Sequence, residues 1–139
     1  MNIGRAHIRG VEITYDIRVK PWSAHIEAVA QNPKDEISGE QLARRAKRTL
    51  TASLAYDIRR YRLAVDWLLT GRRKDSPFSS VYNAGYGLVN VTAQLRLNKQ
   101  WTLQGRLENA ADKHYTLADG YNTMGRALYV ELRYGHKGS

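Results

Sequence analysis

Along most of the chain, apolar and polar residues alternate with a period of two, the repeat of a strand with one greasy and one wet face. Val11, Ile13, Tyr15 and Ile17 alternate with Glu12, Thr14, Asp16 and Arg18. Ala24, Ile26, Ala28 and Ala30 form a weaker series. Leu50, Ala52, Leu54 and Tyr56 then oppose Thr49, Thr51, Ser53 and Asp57. Further series run from Leu63 to Leu69, Val89 to Leu97, Trp101 to Leu107 and Leu128 to Tyr134. Helical periodicity is nearly absent. The pattern predicts seven strands in an all-β, antiparallel up-and-down meander.

The connections sharpen that expectation. "VKPW", "DIRRY" and "LNKQW" are tight turns, whereas "QNPKDEISGEQLARR", "GRRKDSPFSSVYNAG" and "NAADKHYTLADGYNTMG" are long, polar and rich in turn residues. In an antiparallel meander this alternation gathers every tight turn at one end and every long loop at the other. Compact soluble domains keep connections short at both ends. Membrane β-barrels do not: they pair short periplasmic turns with long extracellular loops, and strands that are apolar outside and polar inside. Trp22, Tyr61 and Trp101 each close a tight turn, with Tyr134 at the same level, as in an interfacial aromatic girdle. The chain is therefore expected to be a segment of a transmembrane β-barrel. Val11, Leu54, Val65, Val91, Leu103 and Val130 are assigned to the outer face. Glu12, Thr51, Asp66, Gln94, Arg106 and Glu131 are assigned to the inner one.

Composition narrows the classes. The 139 residues carry 22 Lys+Arg against 13 Asp+Glu, a formal charge of +9 that attracts polyanions such as nucleic acid, anionic head groups or lipopolysaccharide. With no cysteine there is neither a disulfide framework nor a thiolate metal site. No apolar run approaches the ~20 residues of a membrane helix, and no signal peptide opens the chain. His7, His25, His114 and His136 fall on different elements, and no nucleophile–base pattern or glycine-rich phosphate loop is visible. "KDEISGE" lacks the regular acidic spacing of a calcium loop. The expectation is no enzyme, no metal and no cofactor.

"ENAADKHYTLADGYNTMGRALYVELRY" resembles the C-terminal signature of TonB-dependent outer-membrane receptors: an Asn, then Asp-Lys-x-Tyr, Gly-Tyr, Gly-Arg and an alternating last strand ending in an aromatic. "RAHIRGVEI" is similar to a strand opening of that family. "LARRAKRTLTASLAYDI" and "GYGLVNVTAQLRL" are similar to strands of its cobalamin (vitamin B12) transporter branch. The resemblance covers 2–134 and implies the last part of a 22-stranded barrel, with 135–139 as a polar tail. Departures are Ala110-Ala111 where Leu-Phe is usual, Met124 where Pro is frequent, and the "GHKGS" extension. The plug domain, the TonB box and most of the barrel have no counterpart in these residues, so contact with TonB runs only through the absent plug.

What the resemblance implies is uptake of cobalamin or an iron chelate at the bacterial outer membrane, among lipid and lipopolysaccharide. Arg44, at a loop–strand junction, would donate to ligand oxygens as guanidinium does well. Arg45, Lys47 and Arg48 are read instead as lipopolysaccharide or lumen charges. Tyr121 and Asn122 would face the vestibule, with loop packing and turn formation as the alternative. Taken alone, the chain would leave two unpaired edges and an apolar face, which predicts self-association. The rival class is a soluble or engineered basic β-barrel or sandwich binding polyanion or nucleic acid.

Overall fold

The computed structural model describes residues 5–76, 80–118, 120–121 and 123–135. Its strands are β1 (Ala6–Val19), β2 (Trp22–Asp35), β3 (Arg48–Ile58), β4 (Tyr61–Thr70), β5 (Arg73–Lys74), β6 (Tyr82–Asn83), β7 (Tyr86–Arg96), β8 (Trp101–Glu108) and β9 (Ala127–Tyr134). All but β5 and β6 form one seven-stranded antiparallel sheet, each strand neighbouring the next long one in chain order, the expected meander. β5 and β6 make a two-residue hairpin inside the second long connection, too short to register as a periodic segment. The first long connection is shorter than its polar composition suggested. β2 pairs with β1 as far as Asp35, through Gln31, Asn32 and Pro33.

Pairing register decides which side chains share a face, because residues directly opposite each other point the same way. One row runs Ala24, Leu54, Val65, Val91, Leu107 and Leu128, and another runs Tyr61, Leu95, Leu103 and Leu132. Val11 and Val130 belong to the same face. On the other face, Asp16, His25, Ser53, Asp66 and Asn90 form one row, and Asp57, Arg62, Gln94, Gln104 and Glu131 form another. Each of the twelve residues assigned from the alternation keeps to its own face, although Val29, Leu68 and Leu88 join the polar one.

The polar face carries a hollow. A cavity of 740 Å³ lies against Asp16, His25, Ser53, Asp57, Arg62 and Asp66. Those groups satisfy one another: Ser53 Oγ donates to Asp66 Oδ1 at 2.6 Å, His25 Nδ1 lies 2.9 Å from Asp16 Oδ1, and Arg62 binds both oxygens of Asp57. The apolar face covers nothing. Among the described residues the only buried apolar side chains are Ala46, Ala55 and Pro33, while Ile13 is 63% and Val130 71% exposed. A water-soluble sandwich would bury that face against a second sheet. This one is built to be buried by something else.

The aromatics at the tight turns carry a further geometric signal. Trp22 packs on Tyr56 with ring centroids 4.6 Å apart, and Trp101 packs on Tyr134 at 4.9 Å. The pairing row through Trp22 crosses β4 at Leu63, two residues from Tyr61, and the row through Tyr61 crosses β8 at Leu103, two residues from Trp101. The line joining the three aromatics thus slips one residue per strand. At ~3.3 Å per residue and ~4.8 Å between strands, that slip is a tilt of about 35°, the inclination of barrel strands to the barrel axis. A girdle at constant depth and tilted strands are the same observation.

Candidate functional site: the mouth formed by three loops

The three long connections lie at the end opposite the tight turns, and specific bonds knit them together. The first begins where Asp35 closes a turn: its Oδ1 accepts from the amides of Ile37 and Ser38, each at 2.8 Å, while Gly39 (φ 68°) donates to Asp35 O. The Ser38 amide, then that of Ile37, hold the Asp35 carboxyl below the ordinary carboxylate range. Gln31 anchors the return path, donating through its amide to Lys47 O and through Nε2 to Ala46 O.

Arg44 sits in that return path with a positive φ of 58°, and its amide donates to Lys74 O at 2.8 Å. Lys74, buried in the β5–β6 hairpin, pairs through Nζ with Glu40 of the first loop. The hairpin reaches the third loop as well. Arg73 Nη2 donates to Thr116 O at 2.9 Å, with its guanidinium 5.3 Å over the Tyr86 ring, and Tyr86 packs on Tyr115 at 4.4 Å. Asn83 Nδ2 bonds Asp75 Oδ1 and, more weakly, Leu117 O. The short hairpin is the clasp between its two neighbours. A single basic run in a polar loop was the sequence's only sign of it.

The third loop is tied down by the residues of its own motif. Asn109 is buried with φ 48°. Its side chain accepts from the Lys113 amide and donates to Lys113 O, while its own amide donates to Asn90 Oδ1 of β7. Asp112, also at positive φ, accepts from the Arg126 amide through Oδ1. A Cβ on Gly125 would lie 2.9 Å from that oxygen, so a side chain there would press on the carboxylate that holds the Arg126 amide. Thr123 Oγ1 donates to Tyr115 O at 2.6 Å. The Asn, Asp and Gly of the signature thus close one loop onto two strands.

Arg44 and Tyr121 come together across this mouth. Both line a cavity of 520 Å³, with Leu117, Ala118, Thr123 and Met124. Tyr121 is 74% exposed, and its amide donates to Ala118 O. Asn122 lies outside the described residues. Arg48 stands at the top of the apolar face, opposite Ala30, rather than in the mouth. A guanidinium, a phenol and a thioether around an open, half-apolar hollow suit a bulky ligand that carries polar oxygens. They offer no nucleophile paired with a base.

Residues 1–110 match the family model described as TonB dependent receptor-like, beta-barrel. The vitamin B12 transporter BtuB of Photobacterium profundum is 25% identical over 134 residues, 96% of this chain and 22% of that protein. Among solved structures, the copper transporter OprC superposes with a TM-score of 0.79 at 15% identity, covering 93% of this chain and 24% of OprC. A variant of the ferric enterobactin receptor PfeA from Pseudomonas aeruginosa gives 0.79 at 18% identity, covering 96% of this chain and 23% of the receptor. The chain spans less than a quarter of the length of each.

Proposed function

The chain belongs to the TonB-dependent receptor-like β-barrel family, and on that premise we propose that it forms part of the wall and ligand-gathering mouth of an outer-membrane receptor for a cobalamin-type chelate. The family is one of receptors and transporters, so the work is recognition and passage, without chemistry on the substrate. The observation that carries the reading is the combination of an uncovered apolar face backed by a charged one with three loops clasped into one mouth. A membrane wall needs the first and a receptor needs the second. Cobalamin is favoured over an iron chelate by the "LARRAKR" segment at the first loop's junction and by the near-complete coverage of this chain in the vitamin B12 relative.

In this reading Arg44 donates to amide or phosphate oxygens of the ligand, and Tyr121 borders the same vestibule. A charge-assisted bond lost from a partly desolvated site costs about 1.5–3 kcal/mol, tenfold or more in affinity. In a full-length receptor, Arg44→Ala is expected to weaken cobalamin binding measured by titration calorimetry at least about tenfold, and Arg45→Ala is expected to leave it nearly unchanged. Equal affinities for wild type and Arg44→Ala would remove Arg44 from the site. Binding of a ferric chelate with none of cobalamin would retain the mouth and replace its ligand.

A further inference from the structure

The opposite end, at the tight turns, holds an unexplained concentration of positive charge. A cavity of 470 Å³ is lined there by Arg59 and Arg60 of the β3–β4 turn, by Arg62 of β4 and Arg96 of β7, and by only one carboxylate, Asp57. That carboxylate is spoken for, since Arg62 Nη1 reaches both its oxygens, at 3.0 and 2.7 Å. Arg59, Arg60 and Arg96 make no ion pair with the described residues. Their backbones are nevertheless fixed: Arg59 holds a left-handed turn conformation (φ 51°), and the Arg96 amide donates to Arg60 O at 2.9 Å. Three unpaired guanidinium groups are thus gathered around one hollow, at a cost in mutual repulsion that a bound anion would offset.

We infer that this hollow is a phosphate-binding site. Guanidinium forks match the oxygens of a phosphate bidentately, and several forks on one hollow favour a group with more than one charge. The cavity is far larger than an isolated inorganic phosphate requires, which suits a diphosphate or a phosphate carried on a larger head group. Its position favours the second source. Arg62, Gln94, Arg96 and Thr102 come from the polar face, yet Tyr61, from the aromatic row of the other face, also lines the cavity. The site therefore opens over the rim at the depth where aromatic side chains meet head groups. The lipid source rests on the barrel-wall reading above; binding of soluble phosphate does not.

The test uses the 139-residue chain in zwitterionic detergent, titrated with pyrophosphate, and the same chain mixed with vesicles of phosphatidylcholine with or without phosphatidylglycerol. The variant is Arg59→Gln/Arg60→Gln/Arg96→Gln, and the control is Lys99→Gln on the neighbouring turn, outside the cavity. Saturable pyrophosphate binding that weakens at least about tenfold in the triple variant, the loss expected for charge-assisted bonds, and that survives Lys99→Gln, supports the site with a soluble anion. Preference for the anionic vesicles that disappears in the triple variant alone supports a head-group phosphate. Equal loss in the Lys99→Gln control reduces the effect to general surface charge and overturns the proposal. So does binding of both probes that is unchanged in the triple variant, or the absence of any binding.

Discussion

Asn109 and Asp112 show how much one side chain can organise here. Each sits at a positive φ that Asn and Asp tolerate better than other non-glycine residues, and each uses its carbonyl or carboxylate oxygen on a backbone amide of the same loop. Asn109→Ala removes two bonds to Lys113 and leaves a Cβ residue in a left-handed conformation. It is expected to cost about 1–3 kcal/mol, read as a lower urea midpoint of the chain folded in detergent. Asp35 supplies a prediction about pH. Its folded carboxyl titrates below the ordinary range because two amides favour the charged form, with Ser38 the larger contributor. The turn's contribution is therefore complete above the unfolded pKa and is lost as pH falls through the lower, folded one. Amide exchange at Ile37 and Ser38, corrected for its intrinsic pH dependence, is expected to stay protected at neutral pH and to lose protection only on strong acidification.

The strands owe their assignment to alternation, and alternation makes a sharp prediction because neighbours in sequence face opposite media. Thr51 lies opposite Glu27 on the polar face, and Ala52 lies opposite Ile26 and Trp67 on the apolar one. An arginine at mid-strand on a lipid face costs about 2–4 kcal/mol. Ala52→Arg is therefore expected to destabilise folding into bilayers by that amount. Thr51→Arg, one residue away, gains a carboxylate across the strand pair and should change stability by less than about 1 kcal/mol. Denaturant titration in lipid vesicles distinguishes them, and equal effects would mean that the two faces see the same medium. The polar strand extension from Gln31 to Asp35 is explained at this scale too, since β1 runs alongside it and supplies the ladder. Composition recognises loop chemistry; it does not see a partner strand.

Across the whole molecule, β1 and β9 each pair on one side only, so the sheet is open. β1 is exposed along all 14 of its residues, which leaves a long row of backbone donors and acceptors beside an apolar face. Both features demand cover. In a complete barrel, further strands and lipid would supply it. For the 139-residue chain by itself, the expected outcome in mild detergent is a dimer or larger species by light scattering. A clean monomer in plain buffer, with both edge strands protected from exchange, would contradict the unsatisfied edges and the membrane-facing role of the apolar surface together.

Local pattern alone was enough for the seven strands, their meander order, the sorting of loops by length and the two faces, because period-two patterning and turn chemistry are local and each strand repeats the same message. It also carried the resemblance to the receptor family, whose model matches residues 1–110. Contact between distant segments was legible only in the folded chain. Lys74 with Glu40, Arg73 with Thr116, and Arg44 facing Tyr121 join loops some 30 to 80 residues apart. Nothing in one loop's composition names its neighbour. The Arg59, Arg60 and Arg96 hollow arose in the same way, from a turn and a strand end that are adjacent only because β4 and β7 pair. Alternation fixes which way a side chain points; register across strands fixes what it meets.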